Sequence, residues 1–74
     1  MKRVFVFQDF KSQKFWSIEV VGTDITVNYG KLGTDGQTQV KNYATTEEAE
    51  KAASKLIAEK TKKGYVETAE ETRS

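Results

Sequence analysis

Neither cysteine nor histidine occurs in the chain. Together these two absences remove disulfides, structural zinc, thiol nucleophiles and the commonest general base. The lack of cysteine carries no mark of compartment, because an oxidising and a reducing environment act alike on such a chain. Long apolar runs are also missing: none approaches the roughly 20 residues that span a bilayer. Residues 1–9 hold no apolar stretch long enough for a signal peptide. The expectation is a cytoplasmic protein with no metal, no cofactor and no membrane partner.

What remains is 74 residues, of which 36% are hydrophobic and 31% charged, with four Phe, three Tyr and one Trp. That is one small domain. A chain this short buries only about 60% of the surface it exposes when unfolded, so its large apolar residues have to share one cluster. The formal net charge of +1 argues for no particular partner, but its distribution is uneven. Residues 1–66 carry +3 and residues 67–74 carry −2. The last eight residues offer no large apolar side chain to bury, so the sequence divides into a domain over residues 1–66 and a disordered acidic tail over 67–74.

Period-two patterning dominates the first forty residues. Residues 3–8 are β-branched and aromatic, with Phe5 and Phe7 expected inside. The polar stretch 9–13 reads as a turn into a hairpin return. Along residues 14–21, Trp16, Ile18 and Val20 share one face while Phe15, Ser17 and Glu19 share the other, which describes a half-buried strand. Residues 22–24 punctuate, and Ile25, Val27 and Tyr29 resume the alternation as the second arm of a tight antiparallel hairpin. Residues 30–36 contain three of the five glycines and close on Asp35-Gly36, a strong turn signal. Residues 37–43 return as a short, solvated strand suited to a sheet edge.

From Thr45 the period changes to 3.6, with Ala49, Ala52, Ala53, Leu56, Ile57 and Lys60 along one side. Thr45 followed by Glu48 is a capping box. Glu47 adds negative charge at the start, and Lys60, Lys62 and Lys63 add positive charge at the end, both favoured by the helix dipole. Gly64 then stops the helix as a left-handed cap, after which Tyr65 and Val66 can fold back on the core. The fold class is α+β: a small antiparallel sheet of about four strands, with one amphipathic helix on one face and the other face left to solvent or a partner.

Catalysis has little to work with. Glu47, Glu48 and Glu50 are accounted for by the helix start, and no nucleophile, base and orienting group can be assembled without His or Cys. The glycine-rich segment lacks the spacing of a nucleotide phosphate loop. Tyr29-Gly30-Lys31 is the more suggestive constellation, since it sets an aromatic face, close backbone approach and a cation side by side. Gln37, Gln39 and Lys41 follow across the loop as further polar contacts. Tyr29 is also in phase with Ile25 and Val27, so it reads equally as the last core residue of its strand. The lysines at residues 60–63 are already explained by the helix dipole.

Three blocks, KFWSIEV at 14–20, NYGKLGTDGQ at 28–37 and EKTKKGY at 59–65, in that order closely resemble the WGR domain. The resemblance runs from about Phe5 to Val66. It implies a small sheet with one packed helix and no catalytic machinery. WGR domains occur in poly(ADP-ribose) polymerases, where they contact DNA at strand breaks and relay the event to the catalytic region. They also occur in bacterial proteins, including those similar to molybdate-metabolism regulators. By this resemblance Tyr29 takes the position of the Trp that stacks on a terminal nucleotide sugar, Gly30 that of the Gly, and Lys31 that of the Arg used for phosphate or interdomain contact. Tyr keeps an aromatic face with less area, and Lys keeps the charge without the bidentate fork.

The sequence therefore leads to a bacterial, monomeric, non-enzymatic binding module. Its expected ligand is nucleic acid, at DNA ends or nicks, held by Tyr29, Gly30, Lys31, Gln37, Gln39 and Lys41. The alternative is a protein-interaction or regulatory module whose loop docks on a partner protein. Lys and Gln in the edge strand argue against dimerisation by strand pairing.

Overall fold

The computed structural model describes residues 2–68. Its elements are β1 (Lys2–Gln8), β2 (Gln13–Val21), β3 (Asp24–Lys31), β4 (Gln37–Asn42), α1 (Thr46–Lys62) and β5 (Val66–Glu67). All strand pairings are antiparallel, and the sheet order is β4-β3-β2-β1-β5. The expected arrangement holds, with a fifth strand where about four were anticipated.

The registers place the apolar alternations on one face. Phe5 stands opposite Trp16, Trp16 opposite Tyr29, Ile18 opposite Val27, and Val20 opposite Ile25. Helix α1 covers this face with Ala49 and Ala53, and small side chains let the helix approach the sheet closely. The buried core is Phe5, Trp16, Ile18, Ile25, Ala49 and Ala53, flanked by half-buried Val27, Tyr29, Leu56, Ile57 and Tyr65. Phe7 is only half-buried, with its ring against Tyr65 at 5.5 Å between centroids. The opposite sheet face carries no helix, and there Val6 and Phe15 pair in a row that Val66 extends.

The helix begins with one half of the expected capping box: the Glu48 N–H donates to Thr45 Oγ1 at 3.1 Å. Thr45→Ala removes that acceptor and is expected to destabilise the fold by about 1 kcal/mol. Urea unfolding would read this as a lower midpoint at an unchanged slope.

Residues 67 and 68, the first two of the expected tail, are part of the ordered sheet edge. Val66–Glu67 pairs with β1, and the Thr68 N–H donates to Val4 O at 2.9 Å. Arg3 holds Glu67 through Nε at 2.8 Å and Nη2 at 2.7 Å. That bidentate contact lowers the Glu67 carboxyl from its ordinary pKa and raises the Arg3 guanidinium. Tyr65 folds back on the core as expected, but Val66 is exposed, since its place beside Val6 is on the uncovered face. The rest of the expected disordered tail, residues 69–74, lies outside the described residues.

Candidate nucleic-acid interface

Three local features bring charged and aromatic side chains to one end of the domain. The first is the β2–β3 register, which sets Lys14 directly opposite Lys31. Like charges opposed across a strand pair repel and destabilise the sheet, so such a pair is better satisfied by an anion than left alone. The second is the β1–β2 turn. Asp9 Oδ1 accepts from the N–H groups of Lys11 at 2.8 Å and Ser12 at 2.7 Å, and the Asp9 N–H donates to Ser12 O at 2.8 Å. This closed turn holds Phe10 and Lys11 at its apex. The third is the helix C-terminus, which brings Lys60 close to Lys14 and Lys63 and sets Gly64 against Phe7, while Lys62 lies on the outer side of the helix. A Cβ on Gly64 would meet Phe7 at 3.0 Å, and the Lys14 ammonium lies 5.7 Å from the centre of the Phe7 ring.

Lys60 is the most constrained of these cations. Its Nζ lies 5.6 Å from the Trp16 ring centre and 5.3 Å from that of Tyr65. Burial is the main cause that pushes its ammonium below the ordinary lysine range; the charges of Lys63 and Lys14 act the same way, against Glu59, which raises it.

The six residues expected from sequence divide into three groups. Tyr29, Gln37, Gln39 and Lys41 share the helix-side face of β3 and β4. The Tyr29 hydroxyl donates to Gln37 Oε1 at 3.2 Å, while its ring packs against the core, so Tyr29 is a core-margin residue with a polar tip at the rim. Tyr29, Gln39 and Lys41 line a groove of about 260 Å³ under α1, together with Trp16, Glu59 and Lys60. Lys31 is exposed and lines a different cleft, of about 500 Å³, with Phe10, Lys11, Lys14 and Leu32. Gly30 packs internally: a Cβ there would stand 2.7 Å from Gly36 Cα. The close backbone approach that Gly30 permits is thus made by the returning loop.

That loop is held from beneath. Asn28 Nδ2 donates to Asp35 O at 3.1 Å, Gln37 O at 3.0 Å and Thr38 Oγ1 at 3.2 Å. Thr34 Oγ1 donates to Lys31 O at 2.7 Å. Segment 31–37 therefore presents Lys31 and Gln37 from a preformed scaffold, which reduces the ordering cost of any binding event.

Sequence reasoning missed Phe10, Lys11 and Lys14. For Phe10 the available signal was a large aromatic in an otherwise polar turn. For Lys14 it was the register itself, which local sequence does not contain. A separate cleft at the other end of α1, of about 550 Å³, is lined by Arg3, Ile18, Val20, Thr46, Glu50 and Ile57. Arg3 is the one cation lining it, and that guanidinium is engaged by Glu67. Among the described residues no group of three or more His, Cys, Asp or Glu is placed to hold a metal ion. Among them, too, no helix is long and apolar enough to cross a membrane.

The model of the WGR domain matches residues 1–72. Among curated proteins the chain is similar to Protein YehF of Escherichia coli strain K12, 49% identical over 69 residues, which is 93% of this chain and 25% of that protein. It is also similar to the uncharacterized protein YfeS of the same organism, 51% identical over 67 residues, covering 90% of this chain and 28% of that protein. Among solved structures, a crystal structure of a Bacteroides fragilis protein superposes with a TM-score of 0.91 at 84% identity, over 93% of this chain and 20% of that one. The chain thus spans about a quarter of the length of the curated relatives it matches.

Proposed function

Since the chain belongs to the WGR family, we propose that it is a non-enzymatic, monomeric, cytoplasmic module that binds nucleic acid at DNA ends or nicks through its lysine-rich end. The observation that carries this reading is the opposition of Lys14 and Lys31 across β2 and β3, two cations in register beside Lys11. In it Lys31 contacts phosphate, Tyr29 offers an aromatic edge at the rim, and Gln37, Gln39 and Lys41 extend the polar contacts along β4. Gly30 serves by admitting the loop that holds Lys31 and Gln37 in place. The acidic side chains of Asp9, Asp35 and Glu59 moderate the field, so affinity is modest and depends strongly on salt.

The test is an amide-shift titration with a 5′-phosphorylated nicked duplex at low and at higher salt, run in parallel on Lys31→Ala. Salt-sensitive shifts should cluster on residues 29–41. Lys31→Ala should weaken binding on the order of threefold to tenfold at low salt and reduce the slope of log K against log salt by about 1. Unchanged binding in Lys31→Ala would remove that residue's role. A protein partner is the second reading, favoured by the uncovered sheet face with its Val66, Val6 and Phe15 row. Shifts confined to that face on adding a partner, with none from DNA, would select it.

A further inference from the structure

Phe10 is the most exposed large hydrophobic residue among those described. A bare phenyl ring in water contributes nothing to this fold. It stands at the apex of a turn closed by three hydrogen bonds, two of them to the Asp9 carboxylate, and it lines a cleft with Lys11, Lys14 and Lys31. An exposed aromatic carried on a fixed turn beside three cations has the composition of a base-stacking platform with phosphate contacts next to it.

We infer that Phe10 stacks on an unpaired nucleobase adjacent to a phosphate held by Lys11, Lys14 and Lys31, so that the domain prefers a broken duplex carrying an overhanging nucleotide to a blunt one. This rests on the reading of the lysine-rich end as a nucleic-acid surface and adds to it a discrimination that the lysines cannot supply. Phosphates are present on every duplex end and a blunt end shows only the outer face of its last pair, whereas a base free to leave the stack and lie against a ring is offered only where pairing has been lost. The turn's hydrogen bonds fix the backbone beneath the ring, so stacking immobilises only two side-chain torsions. A membrane surface fits less well. Phe10 and half-buried Leu32 are the only large apolar side chains lining the cleft, too little to insert into a bilayer boundary on their own.

The experiment measures binding of the whole chain by fluorescence anisotropy, at low salt, to a 5′-phosphorylated blunt duplex and to the same duplex with one unpaired terminal nucleotide. The wild type should bind the overhang roughly tenfold tighter, the size of a single base–aromatic stack. Phe10→Ala should bring overhang affinity down to the blunt level while leaving blunt affinity and salt slope unchanged. Lys11→Ala should weaken both duplexes together and lower the salt slope by about 1. Because Phe10 lies outside the core, circular dichroism should show Phe10→Ala folded as the wild type.

Equal wild-type affinity for the two duplexes, or an overhang preference that survives in Phe10→Ala, overturns the stacking role while leaving DNA binding intact. Failure of the wild type to bind either duplex overturns the underlying reading and this one with it. Phe10-dependent binding to phosphatidylserine vesicles without any overhang preference overturns it in favour of a membrane surface.

Discussion

Phe5→Ala should lower the stability of the domain by about 3–5 kcal/mol, the range for emptying a fully buried aromatic site. Phe5 has no exposed surface. Its ring meets Trp16 at 5.5 Å and a 55° tilt, and the Arg3 guanidinium lies 5.7 Å from its centre. Removing it both forfeits the transfer free energy of the ring and leaves Trp16 facing a void that the sheet backbone cannot close. At about 0.05–0.15 kcal/mol per residue, a domain of this length has roughly 4–11 kcal/mol in all. The loss is therefore a large fraction of the total, and the melting temperature should fall by more than about 10 °C. Phe10→Ala is the matched control: the same side chain removed from water should change stability by no more than about 0.5 kcal/mol. Urea unfolding of the two variants measures the contrast, and a cost below 1 kcal/mol for Phe5→Ala would refute the packing of β1 against β2.

A second contrast lies within the glycine-rich loop. Gly33 and Gly36 both have positive φ, at 90° and 70°, so alanine at either is strained by about 1–2 kcal/mol. They differ in what surrounds them. A Cβ on Gly33 would meet nothing within 4 Å, whereas on Gly36 it would clash with Tyr29 O and stand 2.6 Å from Phe15 Cζ. A clash with backbone cannot be relieved by rotating a side chain, so Gly36→Ala should add an overpacking cost of about 1–3 kcal/mol. The expected totals are about 1–2 kcal/mol for Gly33→Ala and about 2–5 kcal/mol for Gly36→Ala. Equal unfolding midpoints for the two would mean that the loop does not close tightly on β3. The difference matters for the proposed interface, because the same closure, with Asn28 beneath it, sets where Lys31 and Gln37 stand.

Much of this architecture was legible because its signals are local and periodic. The alternations of 14–21 and 25–29 become β2 and β3 with Trp16, Ile18 and Ile25 buried, and the Thr45–Glu48 spacing becomes a real cap. What escaped is non-local. A two-residue strand has no periodicity, so Val66 read as a core residue and Glu67 as the start of an acidic tail until Arg3 and β1 came beside them. Gly30 was legible as a point of close approach, but that Gly36 rather than a ligand makes the approach depends on how the loop returns. For Tyr29, the reading as the last core residue of its strand finds its counterpart: the ring is at the core margin and the hydroxyl reaches the rim. The juxtaposition of Lys14 and Lys31 follows only once the hairpin register is known, since residues seventeen apart carry no joint signature.

The clip between β1 and β5 also fixes the relative placement of Lys2 and Thr68. The chain enters along β1 at Lys2 and leaves past Thr68, which bonds back to Val4. Both run at the same side of the sheet and at the end away from Phe7. The Lys11, Lys14 and Lys31 cleft and the helix C-terminus lie at the other end. Lys2 and Thr68, the two ends of the described residues, therefore both lie toward the pole opposite the lysines. The cationic pole is thus bordered by the β1–β2 turn, the glycine-rich loop and the helix C-terminus, and by neither end of the described residues.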